Sequence, residues 1–128
     1  MDERNMVLIV RGKSIDPVVE NLLKRLSSEL PKLDYVTLKH GPRLLESLQN
    51  ISPHLILFHL SDGIEHPTET LERLKKLFRG APIFGLIDNS SYEIEREALL
   101  LGINAVFTKE SDAESLIQNV LAVLQRAD

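Results

Sequence analysis

The sequence predicts an α/β fold, a doubly wound sheet of five parallel strands with helices on both faces. Three observations carry this. Short apolar runs alternate with helix-like segments along all 128 residues, which is the signature of βαβ units. The run at residues 55–60, Leu-Ile-Leu-Phe-His-Leu, is almost wholly apolar and bounded by turn signals, as expected of a strand covered on both faces. Right-handed crossovers then give the strand order 2-1-3-4-5, with any site beyond the carboxyl ends of the strands.

The first strand is residues 6–10, Met-Val-Leu-Ile-Val, and it stops at Arg11-Gly12-Lys13-Ser14. Asp16 is a suitable N-cap with Pro17 at the first helical position. The helix runs to about Leu30, placing Val18, Leu22, Leu23, Leu26 and Leu30 on one face, and Pro31 stops it. Residues 33–38 alternate apolar and polar, which predicts a half-exposed strand near an edge. A short second helix is expected over residues 42–49, carrying Leu44, Leu45 and Leu48.

After the central strand, Ser61-Asp62-Gly63 forms its exit and a loop leads to Pro67. Leu71, Leu74, Leu77 and Phe78 recur at helical spacing until Gly80-Ala81-Pro82. Residues 83–87 form the fourth strand and Asp88-Asn89-Ser90-Ser91 a polar loop. Residues 92–101 form a helix closed by Gly102. Residues 105–107 are the fifth strand. Ser111-Asp112-Ala113-Glu114 has the spacing of a capping box, ahead of a last helix whose broad apolar face includes Leu116, Ile117, Val120, Leu121, Val123 and Leu124. Five strands therefore alternate with five helices.

Bulk properties narrow the function classes. Hydrophobic residues make up 43% and charged residues 27%, a globular balance within one domain spanning residues 1–128. A net charge of -4 with mixed signs does not suit a nucleic-acid-binding module. Without cysteine there is no thiolate chemistry. No apolar run approaches spanning length, and Met1-Asp2-Glu3-Arg4-Asn5 lacks a signal-peptide pattern. A cytoplasmic protein without a membrane partner is the expectation.

Several strings, in order and at consistent distances, resemble the receiver domain of bacterial response regulators: Val7-Leu8-Ile9-Val10, Pro53-His54-Leu55-Ile56-Leu57-Phe58, Ala81-Pro82-Ile83, and residues 101–109, Leu-Gly-Ile-Asn-Ala-Val-Phe-Thr-Lys. The resemblance covers nearly the whole chain. It implies a flavodoxin-like, CheY-like fold and a context of two-component signalling, phosphorelay or transcription regulation, with the chain as the N-terminal regulatory domain of a regulator. A working receiver carries a phosphoryl group on an aspartate at the end of the third strand. An acidic pair after the first strand helps hold Mg²⁺, and a Thr or Ser and a Lys contact the phosphoryl oxygens.

This chain departs from that pattern. The acidic pair falls on Arg11 and Gly12, the acceptor on His59, and the Thr/Ser position on Ile87. Lys109 matches, but Glu110 follows it in place of proline, and Val106 stands at the aromatic switch position. Without the acidic pair the cation loses its carboxylates, and Ile87 cannot donate to a phosphoryl oxygen. The expectation is a degenerate receiver without aspartyl phosphorylation, enzymatic activity or cofactor, acting as an interaction module for a protein partner or a second copy.

The remaining readings concern single residues. His59 is expected to fill the vacated pocket, with no orienting base beside it; phosphoryl acceptance or pH sensing is its sharper role. Asp62 is either turn chemistry or a displaced acceptor. Asp88 either pairs with Arg11 or Lys109 or is an exposed loop carboxylate. Gly12-Lys13-Ser14 fails as a phosphate loop because Val7 stands where the first glycine belongs. His54, His59 and His66 lack ligand spacing, so no metal is expected. In the family, the fourth helix, fifth strand and last helix form a partner surface, which singles out Arg96 and Val106. The alternatives are a small-ligand-binding flavodoxin-like domain using the loops after strands one, three and four, and a phosphorelay receiver with its acceptor moved to Asp62 or His59.

Overall fold

A computed structural model describes residues 5–12, 17–41, 43–60, 67–88, 92–108 and 111–125. Five strands, β1 (Asn5–Arg11), β2 (Leu33–Lys39), β3 (Leu55–Leu60), β4 (Ile83–Ile87) and β5 (Ala105–Thr108), form one sheet in the order β2-β1-β3-β4-β5. Every neighbouring pair is parallel. The helices are α1 (Pro17–Glu29), α2 (Pro67–Leu77), α3 (Tyr92–Leu100) and α4 (Ala113–Gln125).

Successive side chains on a strand point to opposite faces, so each inner strand supplies two cores. Val7, Ile9, Leu55, Leu57 and Leu86 pack under α1 and α4, against Leu22, Leu26, Ile117 and Val120. Leu8, Val10, Ile56, Phe58 and Ile83 face the other way, against Leu48, Leu71, Leu74 and Ala98. This two-sided burial explains the unbroken apolar run of β3. The edge strand β2 is never fully buried and alternates in exposure, as its sequence pattern predicts.

Three local expectations are corrected. The second helix is a single 3₁₀ turn, Leu45–Leu48, with Leu44 and Leu48 as its buried anchors. So short a segment cannot offset the cost of helix nucleation, and two leucines suffice to hold one tight turn against the sheet. The capping box on Ser111 does not form. Asp112 starts the helix without capping it: the Leu116 amide donates to its carbonyl, while its Oδ2 accepts from the Thr108 amide of β5, each at 2.8 Å. Glu114 instead reaches Arg25 of α1 at 2.7 Å. On α1, Val19 rather than Val18 is the residue fully buried at the helix start.

Other ends behave as their residues dictate. Gly102 has φ +95°, the left-handed conformation that ends α3. The Gly102 amide donates to Leu99 and the Ile103 amide to Ala98, both at 3.1 Å. His54 is a strand bracket: its Nδ1 accepts from the Met6 amide at 3.1 Å while its own amide donates to the Met6 carbonyl at 2.8 Å. Asn104 brackets Ile83 in the same reciprocal way. Among the described residues no helix is long and apolar enough to cross a membrane.

Candidate functional site

The strand order reverses between β1 and β3, and the crevice beyond their carboxyl ends is where an α/β sheet of this kind holds its ligands. β1 delivers Arg11 to that edge and β3 delivers His59. Arg11 is half-buried, and its Nη1 donates to the Gly12 carbonyl at 3.0 Å. It lies in register with Lys39 on β2, so two cationic residues stand side by side on neighbouring strands.

His59 is only 7% exposed. It lies opposite Leu86 in the β3–β4 register, which brings the residue after β4, Asp88, beside it. His59 Nε2 and Asp88 Oδ1 are 2.8 Å apart. An ionised carboxylate only accepts, so Nε2 carries the hydrogen and donates. The Asp88 side chain is 45% exposed, so solvent reaches the carboxylate. The expectation that His59 has no orienting group is therefore corrected: the fold supplies one from the neighbouring strand. Asp88 is not a bare loop carboxylate either, since its carboxylate engages His59.

Ile87, at the end of β4, is fully buried and has no hydroxyl to offer. Thr108, also buried, ends β5. Lys109, Asp62 and Lys13 lie outside the described residues, as does His66. Among the described residues no cluster of three His, Cys, Asp or Glu side chains could hold a metal ion. A divalent cation needs several oxygen ligands, and Arg11 and Gly12 offer no carboxylate.

One residue of this edge escaped the sequence reading. His40 follows β2, and its amide donates to the Arg11 carbonyl at 2.8 Å. Its ring meets Phe58 edge-on, with centroids 5.9 Å apart, and its Nε2 lies 2.8 Å from the Thr70 hydroxyl of α2. Burial pushes this imidazole below its ordinary value, because the charged form loses solvation. The partners come from β3 and α2, so no local pattern around His40 announces the contact.

Of the two residues expected on a partner surface, Arg96 is exposed on α3 and Val106 is half-buried on β5. The neighbouring apolar side chains were not singled out by sequence. Tyr92 is 76% exposed, Leu100 75% and Leu99 53%, and they share the outer side of α3 with the exposed Glu93, Arg96 and Glu97. A helical pattern shows that leucines share a face; it does not show which face is left uncovered.

No protein-family model matches the chain, and no curated protein sequence does. Solved structures do match. A response regulator from Hahella chejuensis aligns at 21% identity over 96% of both chains, with a TM-score of 0.72. The isolated receiver domain of RcsB from Salmonella enterica serovar Typhimurium, in the presence of phosphomimetic BeF3-, aligns at 19% identity over 98% of this chain and 91% of that one, with a TM-score of 0.71. The response regulator RPA3017 in red light signaling of R. palustris aligns at 14% identity over 93% of this chain and 90% of that one, with a TM-score of 0.66. Taken with the strand order and the two-faced core, these likenesses show that the chain has the fold of the response-regulator receiver domain.

Proposed function

We infer that this chain is an atypical receiver-fold module in bacterial signal transduction, recognising a protein partner or a second copy of itself without aspartyl phosphorylation. The observation that carries the reading is His59, buried at the acceptor position and held there by Asp88 at 2.8 Å. An imidazole in that place supplies no carboxylate nucleophile, and Asp88 beside it holds the ring through its Nε2. Arg11 adds positive charge where a phosphoryl-bound cation would sit. Tyr92, Leu99 and Leu100, exposed on α3 among charged side chains, support a role in recognition, since exposed apolar groups rimmed by polar residues mark contact surfaces.

The test is to titrate the protein with Mg²⁺ and beryllium fluoride while recording amide NMR spectra. The expected result is no saturable change at Arg11, His59, Ile87 or Lys109. Saturable shifts centred on those residues overturn the reading and restore phosphoryl chemistry. Phosphotransfer from a kinase that is abolished by Asp62→Ala or His59→Ala would do the same, and would identify a displaced acceptor.

A further inference from the structure

A cavity of about 260 Å³ lies between α1 and the sheet, toward the edge strand. Its origin is in the register. Val7 and Ile9 of β1 lie opposite Tyr35 and Thr37 of β2, and paired residues on neighbouring strands project to the same face. Val7 and Ile9 are buried in the core under α1 and α4, whereas Tyr35 and Thr37 stay exposed. The helix therefore covers β1 and leaves a gap above β2. Ile9 and Leu86 form the floor of this gap, and Val19 and Leu23 of α1 form its wall. All four are buried. At the mouth stand Glu20 and Lys24 of α1 and Tyr35 and Thr37 of β2. These four are exposed, so the cavity opens to solvent and a ligand can enter without unfolding the core.

Volume and wall chemistry select the ligand. An apolar cavity of about 150 Å³ takes up a benzene molecule, so this one has room for a ring with a short substituent. It is near the lower end of small-molecule sites and too small for a nucleotide. The buried part of the wall is aliphatic. Among the described residues no buried side-chain nitrogen or oxygen lacks a partner, so the interior makes no demand for a hydrogen bond from a ligand. Glu20 and Lys24 are one helical turn apart and opposite in sign, so the mouth favours neither anion nor cation. Arg11 and His59 also reach the lining, but both are engaged within the protein. Arg11 Nη1 donates to the Gly12 carbonyl, and His59 Nε2 lies 2.8 Å from Asp88 Oδ1. Selection therefore falls to Ile9, Val19, Leu23 and Leu86, which reward apolar surface.

We propose that this cavity binds a small uncharged molecule with an apolar ring, the ring lying against Ile9, Val19, Leu23 and Leu86 and any polar end at the open mouth. A bound ring bridges α1 and the uncovered face of β2, which makes the seating of α1 on the sheet ligand-dependent. The site goes beyond the reading of the chain as a recognition module. Its test requires neither phosphomimetic nor partner, so either idea can fail alone.

Three probes share one ring and differ in charge: 2-phenylethanol is neutral, phenylacetate anionic and phenethylamine cationic. Each is titrated into the full chain and followed by amide and methyl NMR. The expected result is saturable shifts of the Ile9, Val19, Leu23 and Leu86 methyl groups with 2-phenylethanol, at a Kd of about 10 mM or below. Nuclear Overhauser contacts from the probe ring to those methyl groups should accompany them. Both charged probes should bind several-fold more weakly, because seating the ring draws a charge toward an apolar wall. Thr37→Phe, at an exposed position of β2, should fill the gap and abolish binding. If that variant fails to fold, the Overhauser contacts in the native protein still decide. Absence of saturable shifts, tighter binding of either charged probe, shifts centred on α3, or unchanged binding to a folded Thr37→Phe variant would overturn the proposal.

Discussion

His59 and Asp88 show how a buried imidazole becomes tolerable at the end of a strand. A buried imidazole with no partner for its N–H costs free energy, and Asp88 removes that cost by accepting the bond at 2.8 Å. Asp88→Ala leaves Nε2 unpaired and should destabilise the fold by about 1 kcal/mol, the low end because solvent reaches the carboxylate. Urea unfolding of both proteins checks it; an unchanged midpoint would show that water replaces Asp88 fully. His40 carries a pH dependence. Its folded-state value is lowered by burial from the ordinary 6.5, so the unfolded chain binds the proton first as pH falls. Its contribution to stability is complete above about pH 6.5 and is lost as pH drops through the lower folded value. A melting temperature followed from neutral pH downward should therefore fall more steeply for the native protein than for His40→Gln, and parallel curves would refute the assignment.

Among the elements, the ends of helices and the short turn teach most. α3 stops because Gly102 adopts φ +95°, and the Lys75 ammonium packs over the place where its Cβ would be. Gly102→Ala should cost about 1–2 kcal/mol, mostly from the left-handed backbone, since the lysine end can move away. A loss of melting temperature that persists in Gly102→Ala/Lys75→Ala would confirm that the backbone, and not the lysine, sets the cost. The closing glycine was legible from local sequence because the left-handed conformation is a property of that residue. The fate of the capping box was not, because Glu114 is drawn to Arg25 of α1 and Asp112 to β5, whose last residue gives its amide to the Asp112 carboxylate. The segment after β2 misled for a related reason: helical spacing of leucines does not reveal how little chain is available for a helix.

For the whole molecule, the distribution of charge and apolar surface matters more than any single bond. The chain carries a net charge of -4, yet the carboxyl edge of β1 and β2 presents Arg11 and Lys39 in register. The outer side of α3 exposes Tyr92, Leu99 and Leu100 while Ala98 fixes the helix to the core. Leu100→Glu should leave the melting temperature nearly unchanged, since surface substitutions fall within about 0.5 kcal/mol. It should also lower any concentration-dependent association seen by sedimentation velocity. A large loss of stability would mean that Leu100 belongs to the core and not to a contact surface.

The layering of the molecule was written in local pattern. Period-two burial in β2, unbroken apolar runs in β1, β3 and β4, and helical spacing between them suffice for the sheet order, because strand burial and crossover rules act on short segments. The same holds for which residue types reach the carboxyl edge, since each strand ends where its apolar run ends. Which of those residues touch is a different matter. Asp88 lies 29 positions from His59, and Thr37 and Lys24 line a cavity with Leu86 from three separate elements. Contacts of that kind depend on strand register and on how closely α1 seats on the sheet, and both are settled only when the elements pack together.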